Sequence, residues 1–189
     1  MIKRSTWIVL GVFLLLLAGA YLWQRNQPEG ETGGEATPTP PASVYNNLDA
    51  TKIKSFQVDD SQGGSMVVER DLTGMWSLVK PQAEATDAGR VEAAISQLTA
   101  MMVLSQLDPQ PAQDVVGLNA PAYVITLKMS DGTTPVLKVG KVTPTSSGYY
   151  VQLDKGPILV VSKIGVDDVV GLVANPPVQL TPTAGTPAP

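Results

Sequence analysis

Residues 123–139, YVITLKMSDGTTPVLKV, decide how this chain folds. Tyr123, Ile125, Leu127 and Met129 alternate with Val124, Thr126 and Lys128, and side chains two apart on a strand share a face. Period two of this kind belongs to a strand and not to a helix. Asp131-Gly132 follows, the strongest short hairpin signal in the chain, and leads into Val136–Val139. Strands joined by so short a connection run antiparallel.

The same pattern extends in both directions. Downstream, Tyr149–Leu153 and Ile158–Val161 read as a second hairpin closed by Asp154-Lys155-Gly156, and a short helix is expected over Gly165–Val173. Upstream, Ile53–Val58 and Met66–Arg70 read as two strands joined across Asp60-Ser61-Gln62-Gly63-Gly64. A third, Trp76–Val79, follows the Thr73-Gly74 turn and stops at Pro81. Asp87–Leu104 is the one convincing amphipathic helix. Val91, Ala94, Ile95, Leu98, Met101 and Met102 recur at helical spacing, with Thr86 or Asp87 to cap it and both methionines read as core filler. Asp108–Ala122 reads as an irregular connection with one helical turn, from Pro111 to a stop at Gly117. Strands dominate and connections are short, which predicts an α+β fold with a mostly antiparallel sheet and one main helix covering it.

The flanks predict where that domain resides. Thr6–Trp23, TWIVLGVFLLLLAGAYLW, is an uncharged apolar run of membrane-spanning length. Lys3 and Arg4 precede it, while acidic Glu29, Glu31 and Glu35 follow, so residues 1–5 are expected inside and the rest of the chain outside the cytoplasm. Trp7, Tyr21 and Trp23 fall at the headgroup levels. Ala18-Gly19-Ala20 matches a signal-peptide cleavage site, and cleavage after Ala20 would release a secreted product. The apolar run continues through Tyr21, Leu22 and Trp23, which favours the uncleaved anchor. Residues 24–43, rich in Pro, Gly, Thr and Glu, cannot bury enough surface to fold and are expected to be a disordered spacer. Residues 44–175 make the folded domain, and 176–189 repeat the spacer's composition as a disordered tail.

Composition narrows the chemistry. The 189 residues include no cysteine and no histidine. Catalytic triads and zinc sites built on those residues are therefore excluded, as is a lipid-bearing cysteine. A net charge of −4 with scattered basic residues argues against nucleic acid. The pairs Asp59-Asp60 and Asp167-Asp168 are explained as a turn former and as first-turn helix charges. Val139-Gly140-Lys141-Val142-Thr143 lacks the earlier glycine of a phosphate loop. No cofactor, metal ligand or catalytic residue is indicated, and the chain reads as a non-enzyme.

A resemblance arises from residues in a particular order. Gly74-Met75-Trp76-Ser77-Leu78, Pro81, the Asp87 helix, Gly117-Leu118 with Pro121, Asp131-Gly132, Val139-Gly140-Lys141 and Tyr149-Tyr150-Val151 succeed one another. Together they resemble the bacterial family of domain of unknown function 4340 over roughly residues 50 to 165. The resemblance implies an exported domain behind a membrane segment, with an extracytoplasmic accessory role. Some members accompany gliding-type ABC transporter components.

Three functions follow as expectations. The first is a membrane-anchored interaction module, an accessory subunit of a transporter or envelope complex. Its partners would be the bilayer, through Thr6–Trp23, and a membrane or envelope protein. The second is a binding module for a small molecule or envelope polymer, with Trp76, Tyr149 and Tyr150 lining an aromatic pocket; the competing reading makes these rings core plugs, with the Trp76 indole N–H on a backbone acceptor. The third is a carboxylate-dependent hydrolase.

Overall fold

The alternation around Tyr123 becomes a strand at the centre of a sheet. A computed structural model describes residues 43–46 and 48–179. In chain order the elements are a 3-10 turn (Ala50–Lys52), β1 (Ile53–Asp60), β2 (Ser65–Arg70), β3 (Trp76–Lys80), β4 (Glu84–Ala85), α1 (Ala88–Thr99), β5 (Val103–Gln106), β6 (Tyr123–Met129), β7 (Val136–Val142), β8 (Gly148–Leu153), β9 (Ile158–Ser162) and α2 (Lys163–Ala174). The strands form one nine-stranded sheet in the order β4-β3-β2-β1-β6-β7-β8-β9-β5. Every neighbouring pair is antiparallel. The fold is α+β, as the sequence predicts, with two helices where one was expected to dominate.

Register shows why one face is the core. Phe56 stands opposite Val68 on one side and Leu127 on the other; Ile125 stands opposite Val58 and Leu137; Val139 stands opposite Tyr123 and Val151. Helix α1 contributes Val91, Ala94, Ile95 and Leu98 to the same buried cluster, and α2 contributes Val166, Val169, Val170 and Leu172. Fully burying a side chain such as Phe56 stabilises the fold by about 1.5–3 kcal/mol, so this layer is the main source of stability.

The opposite face has its own cover. Tyr150 alternates with Val151 and so points away from the main core. It meets a smaller cluster of Val116, Leu118 and Ile158, with Leu107 packed alongside. The connection read as irregular is therefore a strap that carries Val116 and Leu118 across the back of the sheet. Its single turn ends where expected: Gly117 has φ +77°, and Leu118 donates its N–H to the Gln113 carbonyl at 2.7 Å.

Several boundaries move. Helix α1 ends at Thr99, not Leu104, because Val103–Gln106 leave the helix to pair with β9. Its N-cap is Asp87, whose carboxylate accepts the Arg90 amide at 3.1 Å. Met101 is buried, 4 % exposed, but Met102 is 52 % exposed and not core filler. Helix α2 starts at Lys163, so Asp167 and Asp168 fall beyond its first turn, against the expectation.

Ser43, assigned to the spacer, bridges Met102, and Pro176–Gln179, assigned to the tail, reach back to the sheet. Val178 bridges Thr86, Asp87 donates to the Pro177 carbonyl at 2.8 Å, and Gln179 donates to the Ala85 carbonyl at 2.8 Å. Thr6–Trp23, residues 1–5 and the remaining spacer and tail lie outside the described residues. Among the described residues no helix is long and apolar enough to cross a membrane.

Candidate functional site

The three aromatic residues singled out in the sequence occupy three separate environments. Trp76 opens β3 with 6 % exposure. Its indole Nε1–H donates to the Glu92 carboxylate at 2.7 Å, a side-chain acceptor in place of the expected backbone one. The Arg70 guanidinium lies 4.5 Å from the Trp76 ring centre, and its Nη2 reaches the same Glu92 oxygen at 2.5 Å. Glu92 thus joins strand and helix through a cation stacked on a ring. Nothing in this arrangement leaves the ring face open to a ligand.

Tyr149 lies on the helix-facing side of β8. Its hydroxyl donates to Asp167 at 2.9 Å, the Lys163 ammonium is 5.7 Å from its ring centre, and Lys163 also pairs with Asp167. Burial first, and then the bond to Asp167, push the Tyr149 phenol above its ordinary value. Lys163's own hydrogen bond to Asp167 raises the lysine above its ordinary value. Tyr150 points to the opposite face, against the strap. Consecutive strand residues cannot share a face, and β3 and β8 are separated by β2, β1, β6 and β7. The expected aromatic pocket of Trp76, Tyr149 and Tyr150 does not form.

The paired carboxylates are likewise drawn apart. Asp59 accepts the Gln57 side-chain amide at 2.7 Å, whereas Asp60 accepts the Gln62 and Gly64 backbone amides at 2.8 and 2.7 Å. Asp60 and Asp167 do line one groove of about 410 Å³ with Tyr123 at the end of the sheet. Each is already engaged, Asp60 by turn amides and Asp167 by Tyr149 and Lys163. Among the described residues no three His, Cys, Asp or Glu side chains gather as metal ligands.

What periodicity missed is an apolar groove of about 390 Å³ where the end of α1, the start of β5 and the start of α2 converge. Met102, Leu104 and Ile164 line it at 52, 55 and 74 % exposure, beside Gln97 and Asp168. The only sequence signal is the apolar run Met101-Met102-Val103-Leu104, which reads as the end of the helix with both methionines in the core. The helix ends at Thr99, and both Met102 and Leu104 are left exposed. Scattered surface apolar residues are ordinary; here three of them line one groove.

Half of the ordered motif that carries the family resemblance lies in the strap and in β7 and β8 beneath it. A β-carbon at Gly140 would collide with the Val116 carbonyl oxygen, so only glycine lets the strap settle there. Lys141 then fastens it, its backbone N–H to the Val116 carbonyl at 2.8 Å and its ammonium to the Val115 carbonyl at 3.0 Å. Gly117-Leu118 ends the turn and plugs the second core.

Fold and motif together define a one-sheet α+β domain with helices on one face and a fastened strap on the other. Residues 76–165 match the family model described as domain of unknown function (DUF4340). The match begins at Trp76, so β1 and β2, which the resemblance was read to include, lie outside it although they complete the sheet. No curated protein and no solved structure matches the chain.

Proposed function

We propose that this chain is a membrane-anchored, extracytoplasmic interaction module without enzymatic activity, an accessory subunit of an ABC-transporter or cell-envelope complex. The observation that carries the reading is the exposed groove of Met102, Leu104 and Ile164. Three large apolar side chains held partly in water are ready to gain from desolvation against a partner. The sequence adds the location: a spanning run at Thr6–Trp23 and a positive charge bias that keeps the N-terminus inside. Asp59, Asp60, Asp167, Trp76 and Tyr149 are engaged in internal hydrogen bonds, which leaves the apolar surface as the best-supported means of action.

The test is recovery of the full chain from its own membranes in mild detergent. A stable partner should co-purify, and the double substitution Met102→Glu with Ile164→Glu should release it without lowering the melting temperature. A wild-type chain that elutes alone under these conditions would overturn the reading. Protease added from outside, after outer-membrane permeabilisation where there are two membranes, should digest the domain. Protection in spheroplasts would refute the topology.

A further inference from the structure

The groove between the end of α1 and the start of α2 has an uneven charge. Met102, Leu104 and Ile164 make it apolar, and neither lysine nor arginine lines it. Its one charged lining residue is Asp168. That side chain is exposed, and none of the ion pairs among the described residues includes it. Its neighbour Asp167 turns instead to the Tyr149 hydroxyl and the Lys163 ammonium. Lys163, the basic residue nearest in sequence, is therefore already engaged.

Spacing and charge together restrict what can cover this surface. Ile164 and Asp168 stand four residues apart on α2, and side chains so spaced share one helix face. At 1.5 Å rise per residue they are separated by about 6 Å along the axis. A complementary surface thus offers an apolar side chain and a cation about one helical turn apart. A helix provides that pair, and because it satisfies its own backbone hydrogen bonds it needs only side-chain contact. Met101, 4 % exposed, and Met102, 52 % exposed, are unbranched thioethers that adapt to the shape of an entering side chain. A wholly apolar or acidic occupant would desolvate the Asp168 carboxylate without a counter-charge, and that cost discriminates against it.

We propose that the groove takes a basic amphipathic helix of the partner. Its apolar side chains enter between Met102, Leu104 and Ile164, and its lysine or arginine pairs with Asp168. The inference rests on the proposed function's reading of this groove and adds the chemistry of the partner. Apolar contact supplies the attraction. Asp168 supplies selectivity, since an exposed ion pair changes affinity by roughly 1.4- to 5-fold and is weakened by salt.

The probes are two acetylated and amidated alanine-rich peptides of about 15 residues, the length at which isolated helices begin to form. Both carry leucine on one face; a turn away, one bears lysine and the other glutamate. The readout is the isotope-labelled methionine methyl signals of the full chain in non-ionic detergent, with Met102 assigned by its loss in Met102→Leu. Met75, 65 % exposed between β2 and β3, is the control. The lysine peptide should shift Met102, leave Met75 unmoved, and bind about two- to fivefold more tightly than the glutamate peptide. Asp168→Lys should reverse that preference with the melting temperature unchanged. Peptide and detergent are identical in both arms, so uptake by micelles cannot produce the reversal. Equal binding of both peptides, or a preference that survives Asp168→Lys, would overturn the proposal. So would a Met102 signal that moves when the chain alone is concentrated, which gives the groove to a second copy. Failure of the proposed function reads differently: the parent then elutes alone from its own membranes, while the peptide preference still follows residue 168.

Discussion

Lys141 donates its backbone N–H to the carbonyl of Val116 at 2.8 Å, and that bond pins a surface connection to the middle of the sheet. The approach is possible because the preceding residue, Gly140, has no β-carbon.

Gly140→Ala should accordingly force the strap away from β7. Over-packing against fixed backbone costs about 1–3 kcal/mol. Denaturant unfolding should show a lower midpoint of that size. An alanine variant as stable as the parent would mean that the strap is not held at Val116.

Leu118→Ala removes the fully buried plug of the second cluster and should cost about 2–5 kcal/mol by loss of burial plus the cavity left behind. Leu72→Ala, at a residue 104 % exposed, should change stability by less than about 0.5 kcal/mol. Thermal melts of the two variants side by side test whether the strap's small core contributes to global stability.

Glu92→Ala leaves the Trp76 indole N–H and the Arg70 guanidinium without their shared acceptor. An unmet buried donor costs about 1–3 kcal/mol. Glu92→Gln keeps an acceptor for the indole and should recover part of the loss. A double-mutant cycle with Arg70→Met should give a coupling energy above about 0.5 kcal/mol, whereas additive effects would deny the network.

Acid should destabilise the domain through a motif used three times at one end of the sheet. Asp49, Asp71 and Asp131 each accept the backbone N–H and the hydroxyl of the threonine two residues on. Those bonds, the threonine hydroxyl first, hold all three carboxyls below their ordinary value of 3.8. Between the folded and unfolded pKa values the unfolded chain binds more protons, so stability rises with pH there. The contribution is complete above the unfolded value and is lost as pH falls through the folded ones. Urea unfolding between about pH 2 and 6 should show this slope. Replacing the three aspartates by asparagine should flatten it.

Much of the fold was legible because alternation and turn chemistry are local. Tyr123–Met129 reads as a strand on its side chains alone, and Asp131-Gly132 forces its neighbour to return antiparallel. The candidate site was less legible. Helical spacing carried Met102 into the core and the helix on to Leu104, because no residue between Thr99 and Val103 announces the end of the helix; pairing of β5 with β9 ends it. Trp76, Tyr149 and Tyr150 looked like one set because sequence order says nothing about which strands lie between them.

By itself, then, the sequence determined most of the strands, where their hairpins turn, and that residues 76–165 match one family model. Those properties depend on neighbours a few residues away. Only the tertiary structure decided that β1 sits between β2 and β6, that β5 crosses to the far edge beyond β9, and that the strap covers the second face. The physical reason is that an alternating strand offers the same hydrogen-bonding edge to any partner. Burial summed over the whole sheet selects among them, and that sum exists only once distant segments meet.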